Sequence, residues 1–134
     1  MNGYREHIEA VTLANETFRT VLYTSHFAQL VVMSIRPGEE IGEEVHDVDQ
    51  FFRFERGTGR MVIDGTTHDV ADGDAVIVPA GARHTIINAS ASDALKLYTL
   101  YCPPHHKDGT VHATQEDAVK DTEHFDGVAT EPGA

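Results

Sequence analysis

From Phe18 onward the chain alternates short apolar, β-branched and aromatic runs with turn residues. The runs are "FRTVLYT", "AQLVVMSIRPG", "QFFRFERG", "GRMVIDG", "DAVIVPAG", "HTIINAS" and "ALKLYTLYCPP". Short strands punctuated at this spacing predict an antiparallel sandwich or barrel. Within "RMVIDGTTHDV" the pair Asp64-Gly65 separates two strand-like runs, where a two-residue hairpin loop needs left-handed backbone that glycine adopts without penalty. Further turns fall at Pro37-Gly38, Gly57 to Gly59, Asp72 to Asp74 and Pro79 to Gly81.

After Pro103 and Pro104 the pattern changes. In "HHKDGTVHATQEDAVKDTEHF", Thr114 precedes acids suited to a first helical turn, and Ala118 and Val119 offer an apolar side. This predicts a short C-terminal helix starting near Thr114. Helix is otherwise expected only in the first ten residues, so the fold class is all-β. The expected organisation is one domain over residues 1–134, with a core at about 18–104, a C-terminal loop and helix at 105–125, and fraying beyond.

Alternation along a strand sorts side chains by face. Glu44 and His46 project together. Gln50, Phe52 and Phe54 share one face of the next strand, with Arg53 and Glu55 on the other. His84, Ile86 and Asn88 share a face, opposite Thr85 and Ile87. The polar residues carried inward with the aromatic interior are therefore Glu44, His46, Gln50 and His84.

At these positions the chain resembles a cupin. The second cupin motif, G(x)5PxG(x)2H(x)3N, is met in full by Gly73, Pro79, Gly81, His84 and Asn88. The first, G(x)5HxH(x)3,4E(x)6G, is met in spacing by Gly38, His46 and Gly57, but Glu44 stands in the first His slot and Gln50 in the Glu slot. The resemblance implies a double-stranded β-helix (jelly-roll barrel) and a metal site of imidazoles and one carboxylate. The swap conserves the carboxylate: Glu44 supplies what Gln50 does not, His46 and His84 supply imidazoles, and Gln50 remains a neutral oxygen donor. Such a set suits one divalent transition metal, Mn, Fe, Ni, Co or Zn. The competing reading is a barrel without metal, Glu44 turned to solvent and the histidines hydrogen-bonded inside. The resemblance further implies a small-molecule ligand in the barrel, sugar-phosphate isomerase-like or dioxygenase-like chemistry, and a homodimer. The rival to an enzyme is a non-catalytic cupin that binds or sequesters a small molecule.

Composition narrows the partners. The formal charge of −12 over 134 residues argues against phosphate-backbone binding, so nucleic acid is not expected. No apolar run reaches the roughly 18 residues a membrane span needs, and "MNGYREHIEA" lacks the features of a secretory signal, so a cytoplasmic location is expected. Cys102 is the sole cysteine, read as a packed thiol. Similar chains are often labelled mannose-6-phosphate isomerase-like, but a phosphate ligand calls for inward Lys or Arg. The strand interiors show few, and Arg36, Arg60 and Arg83 fall at strand ends or turns, Arg83 alone near the barrel mouth.

The remaining candidates carry two readings each. Glu43, Asp47 and Asp49 form a solvated loop face, unless a bulge brings Glu43 inward in place of Glu44. His105, His106 and His112, preceded by Tyr98 and Tyr101, either line the barrel mouth as acid or base or belong to an inert surface loop. His7, His26, His68 and His124 have no partner signal.

Overall fold

The computed structural model describes residues 1–134. The elements in chain order are α1 (Ile8–Ala14), β1 (Arg19–Thr24), β2 (Gln29–Ile35), β3 (Glu44–Val45), β4 (Asp49–Arg56), β5 (Thr58–Ile63), β6 (Thr66–Ala71), β7 (Ala75–Val78), β8 (Arg83–Asn88), β9 (Leu95–Cys102), β10 (Val111–His112) and α2 (Gln115–Lys120). The strands form two antiparallel sheets, as the strand pattern predicts. One has the order β10-β1-β2-β9-β4-β7 and the other β3-β8-β5-β6, the jelly-roll arrangement that the cupin resemblance implies.

The alternation seen in the sequence is what closes the barrel. On β4, Gln50, Phe52 and Phe54 are buried, while Phe51, Arg53 and Glu55 lie more open on the other face. Val31, Met33 and Ile35 of β2 and Leu95, Leu97 and Tyr101 of β9 meet them, with Met61 and Ile86 arriving from the smaller sheet. Phe52 and Phe54 stack with ring centroids 6.5 Å apart, and full burial of each such side chain is worth about 1.5–3 kcal/mol.

Asp64 and Gly65 form the predicted two-residue loop between Ile63 and Thr66, with φ of 45° and 83°. Gly57 has a different reason to be glycine: a Cβ there would stand 2.7 Å from the Ala94 carbonyl oxygen, on a backbone already at φ 103°.

The predicted C-terminal helix is α2, where Thr114 Oγ1 accepts the Asp117 N–H as an N-cap. The N-terminal helix α1 runs to Ala14, past the first ten residues. It packs on β9, β4 and β2, and Lys96 Nζ donates to the Leu13 and Asn15 carbonyls at 3.0 and 2.7 Å. That contact explains a buried lysine on a core strand: it satisfies helix-end carbonyls that have no other partner.

The expected fraying at the C-terminus is not seen. Thr130 N–H donates to the Thr24 carbonyl, and His26 N–H to that of Ala134. Glu131 accepts from Tyr23 Oη and from the amides of Asn2 and Gly3. Backbone and carboxylate bonds, not apolar burial, hold this segment, which hydropathy alone does not show.

Candidate metal centre

Glu44 and His84 are directly paired across β3 and β8, so their side chains leave the same face. His46 follows just beyond β3, and its carbonyl accepts the Gly81 N–H at 2.8 Å. The Pro79 to Gly81 turn thus positions His46 as well as leading into β8. The Glu44 carboxylate and the two imidazoles bring one ligand atom each within 4.8 Å of one another.

Hydrogen-bond polarity fixes which atoms remain free. A carbonyl only accepts, so His84 Nδ1–H donates to Ala82 O at 3.1 Å and leaves the Nε2 lone pair for the cluster. His46 Nε2 meets Glu44 Oε2 at 3.0 Å and donates to it. Burial alone would raise the Glu44 pKa. The His46 hydrogen bond and the positive influence of His46, Arg19 and His84 outweigh that and hold it below the ordinary carboxylate value.

Gln50 is 3% exposed and faces the same cavity. Its Nε2 donates to Thr99 Oγ1 at 3.1 Å, and its Oε1 is buried without any donor. The donor set therefore fits a divalent ion: Glu44, His84 and Gln50, with its orphaned amide oxygen, line one cavity, and the His46 imidazole completes the cluster beside Glu44. This cavity is narrow, with room for roughly one water or ion. Met33, Ile41, Phe52 and Ile86 supply its apolar walls.

Several expectations change. Glu43 does not replace Glu44; it is exposed and reaches Arg83 at 3.6 Å. Asp49 Oδ1 accepts the Ala80 N–H, a structural bond. Cys102 is exposed, not packed, and partial burial with the nearby Asp49 charge pushes its thiol pKa up, away from reactivity.

The C-terminal histidines do not form an inert surface loop. His106 and His112 are 6% and 4% exposed. His106 Nδ1 donates to Glu123 Oε1 at 2.6 Å, so its Nε2 accepts from Tyr101 Oη at 3.2 Å. His112 Nδ1 accepts from Arg19 Nη1 at 3.1 Å, so its Nε2–H donates to Asp121 Oδ2 at 2.8 Å. Two carboxylate–imidazole pairs from the C-terminal segment thereby hold two residues of the cavity wall, Tyr101 and Arg19. His105 stacks between this group and the cluster, 4.3 Å from the His46 ring and 5.4 Å from Tyr101.

Arg19 is the residue the sequence reading missed. It opens β1 at 7% exposure, facing inward with Val21 and opposite Met33. The signal was weak: in "FRTVLYT" the arginine is in step with Val21 and Tyr23, but Phe18 and Leu22 hold the other face, so alternation alone does not say which side is inward. Asp121 and Glu123 left no such signal, since their partners lie across the fold.

Burial pushes the His105 pKa down to about 4, helped by His46 and His106. Burial also lowers His106, against the opposing pull of its Glu123 hydrogen bond. Glu123 is raised by burial but held near 2 by the bonds from His106 and the Lys107 amide. All three groups therefore bind protons more weakly folded than unfolded, so their contribution is complete above the unfolded histidine value and lost as pH falls. Metal-free protein is expected to melt at progressively lower temperature from about pH 6.5 downward. The histidines act first and Glu123 below about pH 4.5, as thermal melts across pH 8 to 3 would show. An unchanged melting temperature from pH 7.5 to 4 would contradict this.

Comparison with known proteins agrees with the barrel and its motifs. Residues 31–101 match the cupin domain family. The chain is 46% identical to YrkC of Bacillus subtilis over 84% of its own length, and spans 64% of that relative. It is 42% identical to a protein of Acanthamoeba polyphaga mimivirus, covering 81% of this chain and 70% of that one. It superposes on the crystal structure of BH2720 from Bacillus halodurans with a TM-score of 0.86 at 38% identity, over 88% of this chain and 94% of the other. No helix is long and apolar enough to cross a membrane. The double-sheet barrel, the intact second motif and these matches together make the chain a member of the cupin domain family.

Proposed function

We propose that the chain binds one divalent transition-metal ion through Glu44, His46 and His84, with Gln50 Oε1 as a neutral donor, and acts on a small molecule held beside it. The observation that carries this reading is the buried, unpartnered Gln50 Oε1 in the same cavity as the cluster. A buried acceptor left without a donor costs about 1–3 kcal/mol, which a cation at this point would offset. Bound there, such an ion supplies Lewis acidity toward a carbonyl or hydroxyl oxygen, or redox chemistry if it is iron, as isomerase-like or dioxygenase-like activity requires.

The chain's own groups have separate tasks. Ala82 O orients the His84 ring, and Met33, Ile41, Phe52 and Ile86 give the cavity its apolar walls. Tyr101 donates its hydroxyl hydrogen bond to His106, which leaves its oxygen lone pairs to accept from a ligand's N–H or O–H. The narrowness of the cavity favours a second reading, in which the barrel captures a small ligand without turning it over.

Elemental analysis of protein purified without a histidine tag, followed by a turnover screen against sugar phosphates and oxygen-dependent substrates, tests both. One ion per chain with turnover is the expected result. An ion with ligand binding but no turnover supports capture, and protein that takes up no ion under any loading condition overturns the metal reading.

A further inference from the structure

We infer that Arg19 is a ligand-recognition residue, and that the molecule taken into the barrel carries a carboxylate, which the guanidinium clamps while the rest of the ligand faces the Glu44, His46 and His84 cluster. The first argument is electrostatic. Arg19 is 7% exposed, and no acidic side chain forms an ion pair with it. Its side-chain neighbours are neutral: His112 Nδ1 accepts from Nη1 and must be a neutral imidazole to do so, the Tyr101 hydroxyl lies within hydrogen-bond reach, and the Phe18 ring centroid is 5.2 Å away. A buried guanidinium without a counter-ion is costly unless an anion arrives to pair with it.

The second argument is geometric. Nη1 is committed to His112, which is locked in turn by Asp121, and the other edge of the guanidinium carries Nε and Nη2 on the side chain that also reaches Tyr101. Nε is buried without any acceptor. Two parallel N–H groups on one edge of a planar guanidinium match the two oxygens of a carboxylate. Arg19 is the only cationic side chain on the cavity wall, which disfavours a phosphate.

The third argument is charge balance, and it rests on the metal reading above. A divalent ion and Arg19 against the single Glu44 carboxylate leave the cavity with positive charge in excess, which an anionic ligand neutralises.

Pyruvate, small, flat and bearing a carbonyl beside its carboxylate, serves as the probe, with pyruvamide as its neutral counterpart and orthophosphate as the competing anion. Calorimetric titration of metal-loaded protein is expected to show pyruvate binding at least about tenfold more tightly than pyruvamide or orthophosphate. Arg19→Met should lose that preference while keeping its metal, and Arg19→Lys should retain part of it. Should Arg19→Met fail to fold, Arg19→Lys and the pyruvate–pyruvamide comparison on unaltered protein decide.

Equal binding of pyruvate and pyruvamide, full pyruvate affinity in Arg19→Met, or no binding at all would overturn the inference and leave the metal reading intact. A stronger, Arg19-dependent response to orthophosphate would overturn the carboxylate assignment. Protein that takes no metal but still binds pyruvate through Arg19 would sink the metal reading and keep the anion site.

Discussion

Glu44→Gln protein is expected to lose its divalent ion, whereas Gln50→Glu protein keeps it or binds it more tightly. Glu44 is the only carboxylate in the cluster, so its amide isostere removes the anionic donor while leaving shape and burial nearly unchanged. Affinity should fall on the order of 100-fold or more, equivalent to about 2.7 kcal/mol. Gln50 stands in the slot where the family motif carries Glu, is 3% exposed, and directs an unpartnered oxygen into the cavity. A carboxylate there adds a second negative charge to the ion's surroundings.

The same change should destabilise metal-free protein, because a buried carboxylate without a cation costs several kcal/mol or takes up a proton. The gap between metal-free and metal-loaded melting temperatures should therefore widen in Gln50→Glu and close in Glu44→Gln. Titration with Mn, Fe, Ni or Zn together with melting curves measures both effects. Equal affinities in the two variants would remove Glu44 and Gln50 from the ligand set while leaving the barrel untouched.

The second large effect is expected at the imidazoles. His84→Ala deletes a nitrogen donor already aimed by the Ala82 carbonyl, and His46→Ala deletes the one paired with Glu44. Each should cost at least as much affinity as losing a supporting partner does, which is about 10–100-fold. His105→Ala is the control. Its ring lies 4.3 Å from that of His46 but outside the donor cluster, so that variant should retain the ion. If the His46→Ala and His84→Ala proteins hold as much metal as the unaltered chain, the site is elsewhere. Loss of metal in His105→Ala alone would move it toward the C-terminal histidines.

Much of the fold was legible because strand alternation is a local property. Phe52 and Phe54 in step with Gln50, and Ile86 in step with His84, show which way β4 and β8 face without reference to any other part of the chain. Asp64-Gly65 and the Thr114 N-cap are equally local. The inward set of Glu44, His46, Gln50 and His84 was legible for the same reason, and the cupin resemblance carried by the glycines and proline around them implied a metal there.

What was not legible lies where distant segments meet. The histidines at 106 and 112 read as loop residues until Glu123 and Asp121 are brought against them, and their roles depend on Tyr101 and Arg19 at the other ends of those imidazoles. Alternation groups Arg19 with Val21 and Tyr23 but leaves Phe18 and Leu22 on the other face, so that it lies buried beside a candidate metal cluster with no acidic partner is a fact of closure between the two sheets. By itself the sequence determined the antiparallel β class, the Asp64-Gly65 hairpin and the inward residues of the first cluster, because period-two alternation and turn chemistry act within a few residues, while the jelly-roll barrel followed from the resemblance to a cupin. Only the tertiary structure decided the second half of the cavity, the orphaned atoms of Gln50 and Arg19 and the fastening of the C-terminal segment, because burial and hydrogen-bond satisfaction are set by what the rest of the chain brings alongside.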